Sequence, residues 1–329
     1  MVEKNFFEEV PNAEILAIAH PDWLGIRSSS REMFSDHLYI GDDIDDQKAA
    51  RIAAEIAKKV TKAVVLQAFP LNYEKLVYAI NRYANGLPIY CIWHGSFLQS
   101  NEDINWRGFR KVCELNRKGL IQKLAFVKEG MAEIMNATGM KTYFLKNWLN
   151  RIPEKVNEVR DDGFTHCAVW SSTWCRRKPA FSMLAAAGTR PGTKAHIYGV
   201  NQYISEFIDE LSLNVVRHND HIPWQQMTQE YMKMHLNLYV TMSECAPMVP
   251  LESLSCGVPC LFGPNSHYFL DNKFLYTMLV VQIPDSAQCI KNYINRALEA
   301  REDIVNEYIR YAKGYNQECK DLLRHFLES

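Results

Sequence analysis

A chain of 329 residues is longer than one hydrophobic core usually supports, so two domains are expected. Hydrophobic residues make up 47 % and charged residues 23 %, an ordinary globular balance, and a formal net charge of -1 gives no electrostatic reason for nucleic acid to be the main partner. No apolar run approaches the roughly 20 residues of a membrane span, and the segment from Met1 to Glu9 lacks the apolar stretch of a secretory signal.

The predicted elements alternate between apolar runs and amphipathic stretches, the pattern of βαβ units around parallel sheets. Ile15 to Ala19 reads as the first strand and His20 to Gly25 as the loop after it. Leu38 to Ile40 is a short strand, Asp46 to Val60 a helix, Ala63 to Leu66 a strand, and Tyr73 to Ala84 a helix. Strand Pro88 to Trp93 delivers His94 and Gly95 to its carboxyl end. Helix Trp106 to Lys118, strand Lys123 to Val127, helix Glu129 to Thr138 and strand Thr142 to Leu145 complete the first half. The charged, weakly patterned stretch Asn150 to Gly163 reads as an interdomain linker.

The second half opens with strand Thr165 to Trp170 and helix Pro179 to Ala187. Strand Ala195 to Tyr198, helix Gln202 to Ser212, strand Asn214 to Val216 and helix Trp224 to Met234 follow. Leu238 to Val240 and Cys260 to Phe262 are apolar strands, Met278 to Ile283 is expected as a final strand, and helices Ala287 to Glu299 and Ile304 to Leu327 close the chain. Domains are therefore expected at 1–152 and 153–309, with helix 310–329 packing back on the first.

The nine cysteines are odd in number, scattered and mostly inside apolar runs. That usage fits reduced thiols in a cytoplasmic protein, and Cys256 and Cys260 have no matching pair with which to build a zinc site. Asp43 and Asp45 imitate an Asp-x-Asp metal motif, but they immediately precede an alanine-rich helix, where carboxylates cap free amides. No serine-hydrolase elbow, Walker loop or G-x-G-x-x-G fingerprint is present.

The most informative stretch runs from Leu238 to Pro259. An apolar strand gives way to a loop carrying Glu244, and a helix then opens carrying Glu252 and stops at Gly257. Loops leaving the carboxyl ends of parallel strands line the ligand crevice of an open sheet, so both acids should face it beside helix amides that favour an anion. Two carboxylates beside an anion site suit a sugar nucleotide, with hydroxyl donors at one end and a diphosphate at the other. Arg176, Arg177 and Lys178, just before a helix, supply cations for such a diphosphate.

This order of residues resembles the E-x7-E motif of the retaining GT-B glycosyltransferases, above all family 4. The resemblance implies two Rossmann-like domains whose parallel sheets face each other across a cleft. It also implies transfer of a hexosyl unit, with retention, from a nucleotide diphosphate sugar to a glycan, lipid or other hydroxyl acceptor. By resemblance, Glu244 bonds hydroxyls of the transferred sugar and Glu252 the ribose hydroxyls. Lys178 and Arg177 grip the diphosphate, the amides of Met248 and Val249 meet the phosphate, and His94 contacts the sugar near its anomeric centre. Gly25 resembles the glycine loop that admits donor and acceptor, and the base packs somewhere in Arg217 to Ile222. No metal and no cofactor beyond the donor itself is expected, and a peripheral membrane contact is left open. Two positions depart from the family: Ser172 stands where an arginine is usual, and Pro247, which has no amide hydrogen, stands in the loop where a glycine is usual. Those departures keep alive a non-catalytic, glycosyltransferase-like binding subunit. An inverting transferase or a nucleotide-sugar epimerase on the same scaffold is the other alternative.

Overall fold

The structure, a computed structural model, describes residues 9–171, 177–218 and 222–329. Its contacts divide into two compact units, Met1–Asn147 with Glu318–Ser329, and Trp148–Gln317.

In unit 1 the chain runs β1 (Ala13–Ala19), α1 (Leu24–Met33), β2 (His37–Tyr39), α2 (Asp46–Lys59), β3 (Val60–Gln67) and α3 (Tyr73–Tyr83). It continues through β4 (Ile89–Trp93), α4 (Asp103–Arg117), β5 (Lys123–Phe126), α5 (Met131–Ala137) and β6 (Thr142–Phe144). The six strands are parallel in the order β2-β1-β3-β4-β5-β6, so the direction of strand addition reverses between β1 and β3. Strand residues Leu16, Ile18, Val64, Leu66, Cys91, Leu124 and Phe126 join helix residues Ile52, Ile56, Leu76, Ile80 and Val112 in one core. Burial on both faces is why these strands read as continuous apolar runs. Asp45 caps α2, its carboxylate accepting the Lys48 amide at 2.7 Å, while Asp43 pairs with the Lys48 ammonium at 2.7 Å. The aspartates thus serve the helix start.

Unit 2 contains β7 (Thr165–Val169), α6 (Ala180–Gly188), β8 (Thr193–Tyr198), α7 (Gln202–Glu210), β9 (Val215–His218) and α8 (Met227–Met232). β10 (Leu236–Tyr239), α9 (Met248–Leu254), β11 (Cys260–Phe262), α10 (Lys273–Leu279), α11 (Ala287–Glu299) and α12 (Arg301–Glu328) follow, the residues of α12 from Glu318 onward belonging to unit 1. The five strands are again parallel, in the order β11-β10-β7-β8-β9. One face of this sheet carries a row of histidines. Asp162 Oδ1 lies 2.9 Å from His166 Nε2, His166 Nδ1 lies 2.8 Å from His196 Nε2, and His196 Nδ1 lies 3.0 Å from His218 Nε2. Burial pulls the His196 pKa down to about 4, with neighbouring imidazoles adding to the effect.

Two expectations are corrected. Residues 24–33 form helix α1 rather than continuing a loop, which puts Gly25 in the first turn of a helix. The helix buries Arg27, Ser28, Ser29 and Ser30 with Met33, and that mostly polar burial hid its period from a search for apolar spacing. Met278 to Ile283 is not a strand: α10 extends to Leu279, and only Val280 bridges to Phe262. No disulfide joins the described cysteines, and all but Cys289 are buried. Among the described residues no helix is long and apolar enough to cross a membrane.

Candidate functional site

In unit 2 the carboxyl ends of β7 and β10 carry the two loops that the sequence singles out. β10 ends at Tyr239, and Glu244 follows in the loop leading to α9. The loop after β7 returns through Arg177 and Lys178 before α6. The loops are tied backbone to backbone, the Met242 amide donating to the Arg177 carbonyl at 2.7 Å. Ser171 Oγ donates to the Lys178 carbonyl at 2.9 Å and fixes the other end of the turn.

This tie brings two cations and a hydroxyl onto a single carboxylate oxygen. Glu244 Oε1 lies 3.1 Å from Arg177 Nη1, 2.9 Å from Lys178 Nζ and 2.9 Å from the Tyr239 hydroxyl, which donates to it. Lys178 Nζ also donates to the Tyr239 hydroxyl at 2.6 Å, and Arg177 Nη1 to the Ser243 carbonyl at 3.3 Å. Glu244 is only 8 % exposed, so the cluster sits where charges attract strongly and water competes weakly. Burial alone would lower the Lys178 pKa, but Tyr239 and Glu244 outweigh it and raise the pKa above the ordinary range. Burial raises the Tyr239 pKa as well. Lysine charged, tyrosine protonated: the group carries two cations against one carboxylate.

Glu252, in the second turn of α9, is held differently. The Tyr231 hydroxyl donates to its Oε2 at 2.9 Å. Tyr231 is buried and meets Trp170 edge to face, ring centroids 4.9 Å apart, and Trp170 stacks on Tyr198 at 4.7 Å. Trp170 Nε1 donates to Asn237 Oδ1 at 2.6 Å, Asn237 Nδ2 donates to Ser253 Oγ at 2.8 Å, and Ser253 Oγ donates to the Val258 carbonyl at 2.7 Å. That chain ties β7, β10 and α9 together. Val249 and Ile222 pack against the apolar cluster containing Trp170, Tyr231 and Tyr239. Met248 is buried in the first turn of α9, whose cap position is Pro247 with no side-chain cap. Gly257 ends the segment at φ +74°, where a Cβ would collide with the Lys155 carbonyl.

Arg177, Lys178 and Glu244 are therefore in direct contact, and Val249 and Ile222 border the same aromatic cluster that holds Glu252. Ser172 lies outside the described residues. His94 and Gly25 belong to unit 1. His94 follows β4, its Nε2 lying 2.9 Å from Gln67 Oε1, and burial pushes its pKa down to about 3, so it is neutral. A Cβ on Gly25 would meet nothing within 4 Å. Trp170 is core, as its apolar strand suggests. Sequence reading missed Tyr239 and Tyr231, which orient the two acids. The available signal was Asn237 and Tyr239, polar groups at alternate positions of an otherwise apolar strand. Among the described residues no group of three or more His, Cys, Asp or Glu side chains could hold a metal ion.

Neither a known family profile nor a curated protein matches this sequence. Solved structures do. A lipopolysaccharide outer core galactosyltransferase, WaaB, in its apo form is 14 % identical with a TM-score of 0.58, over 91 % of this chain and 95 % of its own. Anabaena HepE in complex with UDP and glucose is 12 % identical with a TM-score of 0.66, over 96 % and 99 %. An Escherichia coli trehalose-6-phosphate structure bound with UDP-2-fluoro glucose is 9 % identical with a TM-score of 0.61, also over 96 % and 99 %. The chain has the GT-B fold of retaining nucleotide-sugar glycosyltransferases over most of its length.

Proposed function

We propose that this protein is a retaining glycosyltransferase that moves a hexosyl unit from a nucleotide diphosphate sugar to a hydroxyl acceptor on a glycan or lipid. The observation that carries the reading is the buried Arg177–Lys178–Glu244–Tyr239 cluster at the carboxyl end of the unit 2 sheet. Two cations with a single carboxylate leave net positive charge for a diphosphate, and the carboxylate can accept from sugar hydroxyls. In this reading Arg177 and Lys178 neutralise the leaving diphosphate, with the amides of Met248 and Val249 beside them. Glu244 binds the transferred sugar and Glu252 the ribose. Ser172, Ile222, Gly25 and His94 keep the donor-binding roles that the resemblance gives them. The leaving phosphate takes the acceptor proton on the face from which it departs, so the protein supplies positioning and electrostatics without a protein-bound metal. UDP-glucose is the first donor to try, because structures of similar fold hold UDP and glucose or UDP-2-fluoro glucose.

The test is transfer from UDP-, GDP-, ADP- and dTDP-sugars, followed by Lys178→Ala and Glu244→Gln. With the donor that works, each substitution should cost about 100-fold in turnover, the scale of losing one preorganised electrostatic contact. Unchanged turnover in both would remove the assigned site. A second reading, a non-catalytic binding subunit, is favoured by Pro247, which brings no amide to the phosphate loop at the start of α9. Calorimetric binding of a nucleotide sugar without turnover against any acceptor would select it.

A further inference from the structure

Past the end of β4, unit 1 turns a compact group of large apolar side chains towards solvent. Phe97, Leu98, Ile104 and Trp106 are each 44–59 % exposed. They are held there firmly. The Ser96 amide donates to Gln99 Oε1 at 2.7 Å, and the chain makes a short 3-10 turn, Leu98–Asn101, before α4. The rings of Phe97 and Trp106 both rest on Phe109, with centroids 6.5 and 6.2 Å away, and Phe109 is buried against Trp93 and Phe126. Gly108 admits this approach, since a Cβ there would stand 2.9 Å from the Phe69 carbonyl oxygen. The tip is thus rooted in the core of unit 1 and keeps its apolar ends outward.

Beside the tip, Lys75 of α3 and Trp106, Arg107, Arg110 and Arg117 line one groove. The acids of that groove are already engaged: Glu74 and Glu114 both pair with Lys111, at 3.0 and 2.9 Å. Asp103 lies 3.6 Å from Arg107, and Glu102 accepts from Asn105. Among the described residues, Lys75, Arg110 and Arg117 have no carboxylate partner. Trp106, Arg110 and Arg117 stand at i, i+4 and i+11, on one face of α4. The Arg110 guanidinium lies 5.8 Å from the centre of the Trp106 ring. Apolar tip, tryptophan, then cations is the order in which a bilayer offers acyl chains, interface and phosphates.

We propose that this face of unit 1 docks on the surface of an anionic phospholipid bilayer. The four apolar side chains enter the acyl boundary, and Lys75, Arg110 and Arg117 meet lipid phosphates. Area favours a bilayer over a second copy of the chain. Four half-exposed side chains offer on the order of 400 Å², about half of the roughly 800 Å² that each partner buries in a stable protein interface. A bilayer sets no such minimum, because insertion and phosphate attraction add. The proposed reaction plays no part in this inference, and docking is read without turnover.

The experiment is sedimentation of the full chain with vesicles of phosphatidylglycerol and phosphatidylcholine at low salt. The native protein should pellet with them and be released by about 0.5 M salt, as screened phosphate contacts require. Combined Phe97→Ser, Leu98→Ser and Trp106→Ser should weaken binding at least about tenfold, and so should combined Lys75→Gln, Arg110→Gln and Arg117→Gln. Brominated acyl chains should quench part of the native tryptophan fluorescence, and Trp106→Phe should abolish that part while still binding vesicles. No pelleting at low salt, binding unchanged in both combined variants, or equal binding to pure phosphatidylcholine would overturn the proposal. Self-association without lipid that the apolar substitutions abolish would assign the face to a second copy and overturn it too. If the combined variants misfold, the quenching decides, since Trp106→Phe keeps an aromatic ring on Phe109.

Discussion

Glu244 occupies a contested position, since the oxygen assigned to a sugar already accepts from Tyr239 and forms ion pairs with Arg177 and Lys178. Its carboxylate neutralises cations that a diphosphate would otherwise claim, so removing its charge should affect binding and chemistry in opposite directions. Glu244→Gln is expected to bind UDP alone at least as tightly as the native protein while transferring sugar far more slowly. Calorimetry with UDP checks the first half, and clearly weaker binding would mean that the carboxylate orders the cations more than it competes with them. Tyr239→Phe removes the hydroxyl that accepts from Lys178 and donates to Glu244, and should cost about 1–2 kcal/mol in urea denaturation. That Arg177 and Lys178 stand beside Glu244 was legible from the family resemblance, which places a basic pair and the first acid of the motif around one ligand. The part that Tyr239 plays was not, because a polar group at a strand end looks the same in sequence whether it packs, caps or positions a neighbour.

Among the elements, the row of imidazoles across β7, β8 and β9 makes a test of pH dependence. His196 is neutral in the fold with a pKa near 4, and an unfolded histidine titrates near 6.5. The unfolded state therefore binds more protons between those values. Stability is fully present above pH 6.5 and falls as pH drops towards 4, by on the order of 1–3 kcal/mol from His196. His235 and His218 are shifted in the same direction. Thermal melts of His196→Gln should have a shallower slope between pH 6.5 and 4 than the native protein, and equal slopes would exclude the row as the source. The turn ending α9 gives a second test. Gly257→Ala meets both a positive φ and the Lys155 carbonyl, so it should lower stability by about 1–3 kcal/mol or more. Sequence periodicity located the paired strands but added one at Met278 to Ile283, and it missed α1, whose buried residues are Arg27, three serines and Met33. Ser29 Oγ finds its partner in Asn147 Oδ1 at 2.7 Å, 118 residues away in the chain. Spacing patterns report apolar burial and are blind to polar burial satisfied from a distance.

For the whole molecule, the alternation of apolar runs and amphipathic stretches made the α/β architecture readable, and the GT-B fold matches over most of the chain. The sequence expects helix 310–329 to return to the first domain; the contacts change units between Gln317 and Glu318, and nothing in the helical pattern marks that point. The residues that return to unit 1 are firmly seated there. Phe326 is fully buried and meets Tyr90 and Tyr143 edge to face at 5.6 and 5.3 Å, while Lys123 Nζ donates to the Phe326 and Leu327 carbonyls. Phe326→Ala should cost about 3–5 kcal/mol, as a cavity at a fully buried aromatic does. A melting temperature within a degree of the native value would show that this seat contributes little.

That seat also orders events on the ribosome. The sheet of unit 1 emerges first, but the aromatic ring that closes its core is translated only after every residue from 148 to 317. Until then Tyr90 and Tyr143 wait uncovered, and a nascent chain of this kind offers chaperones an apolar patch on its oldest part while the newer unit folds.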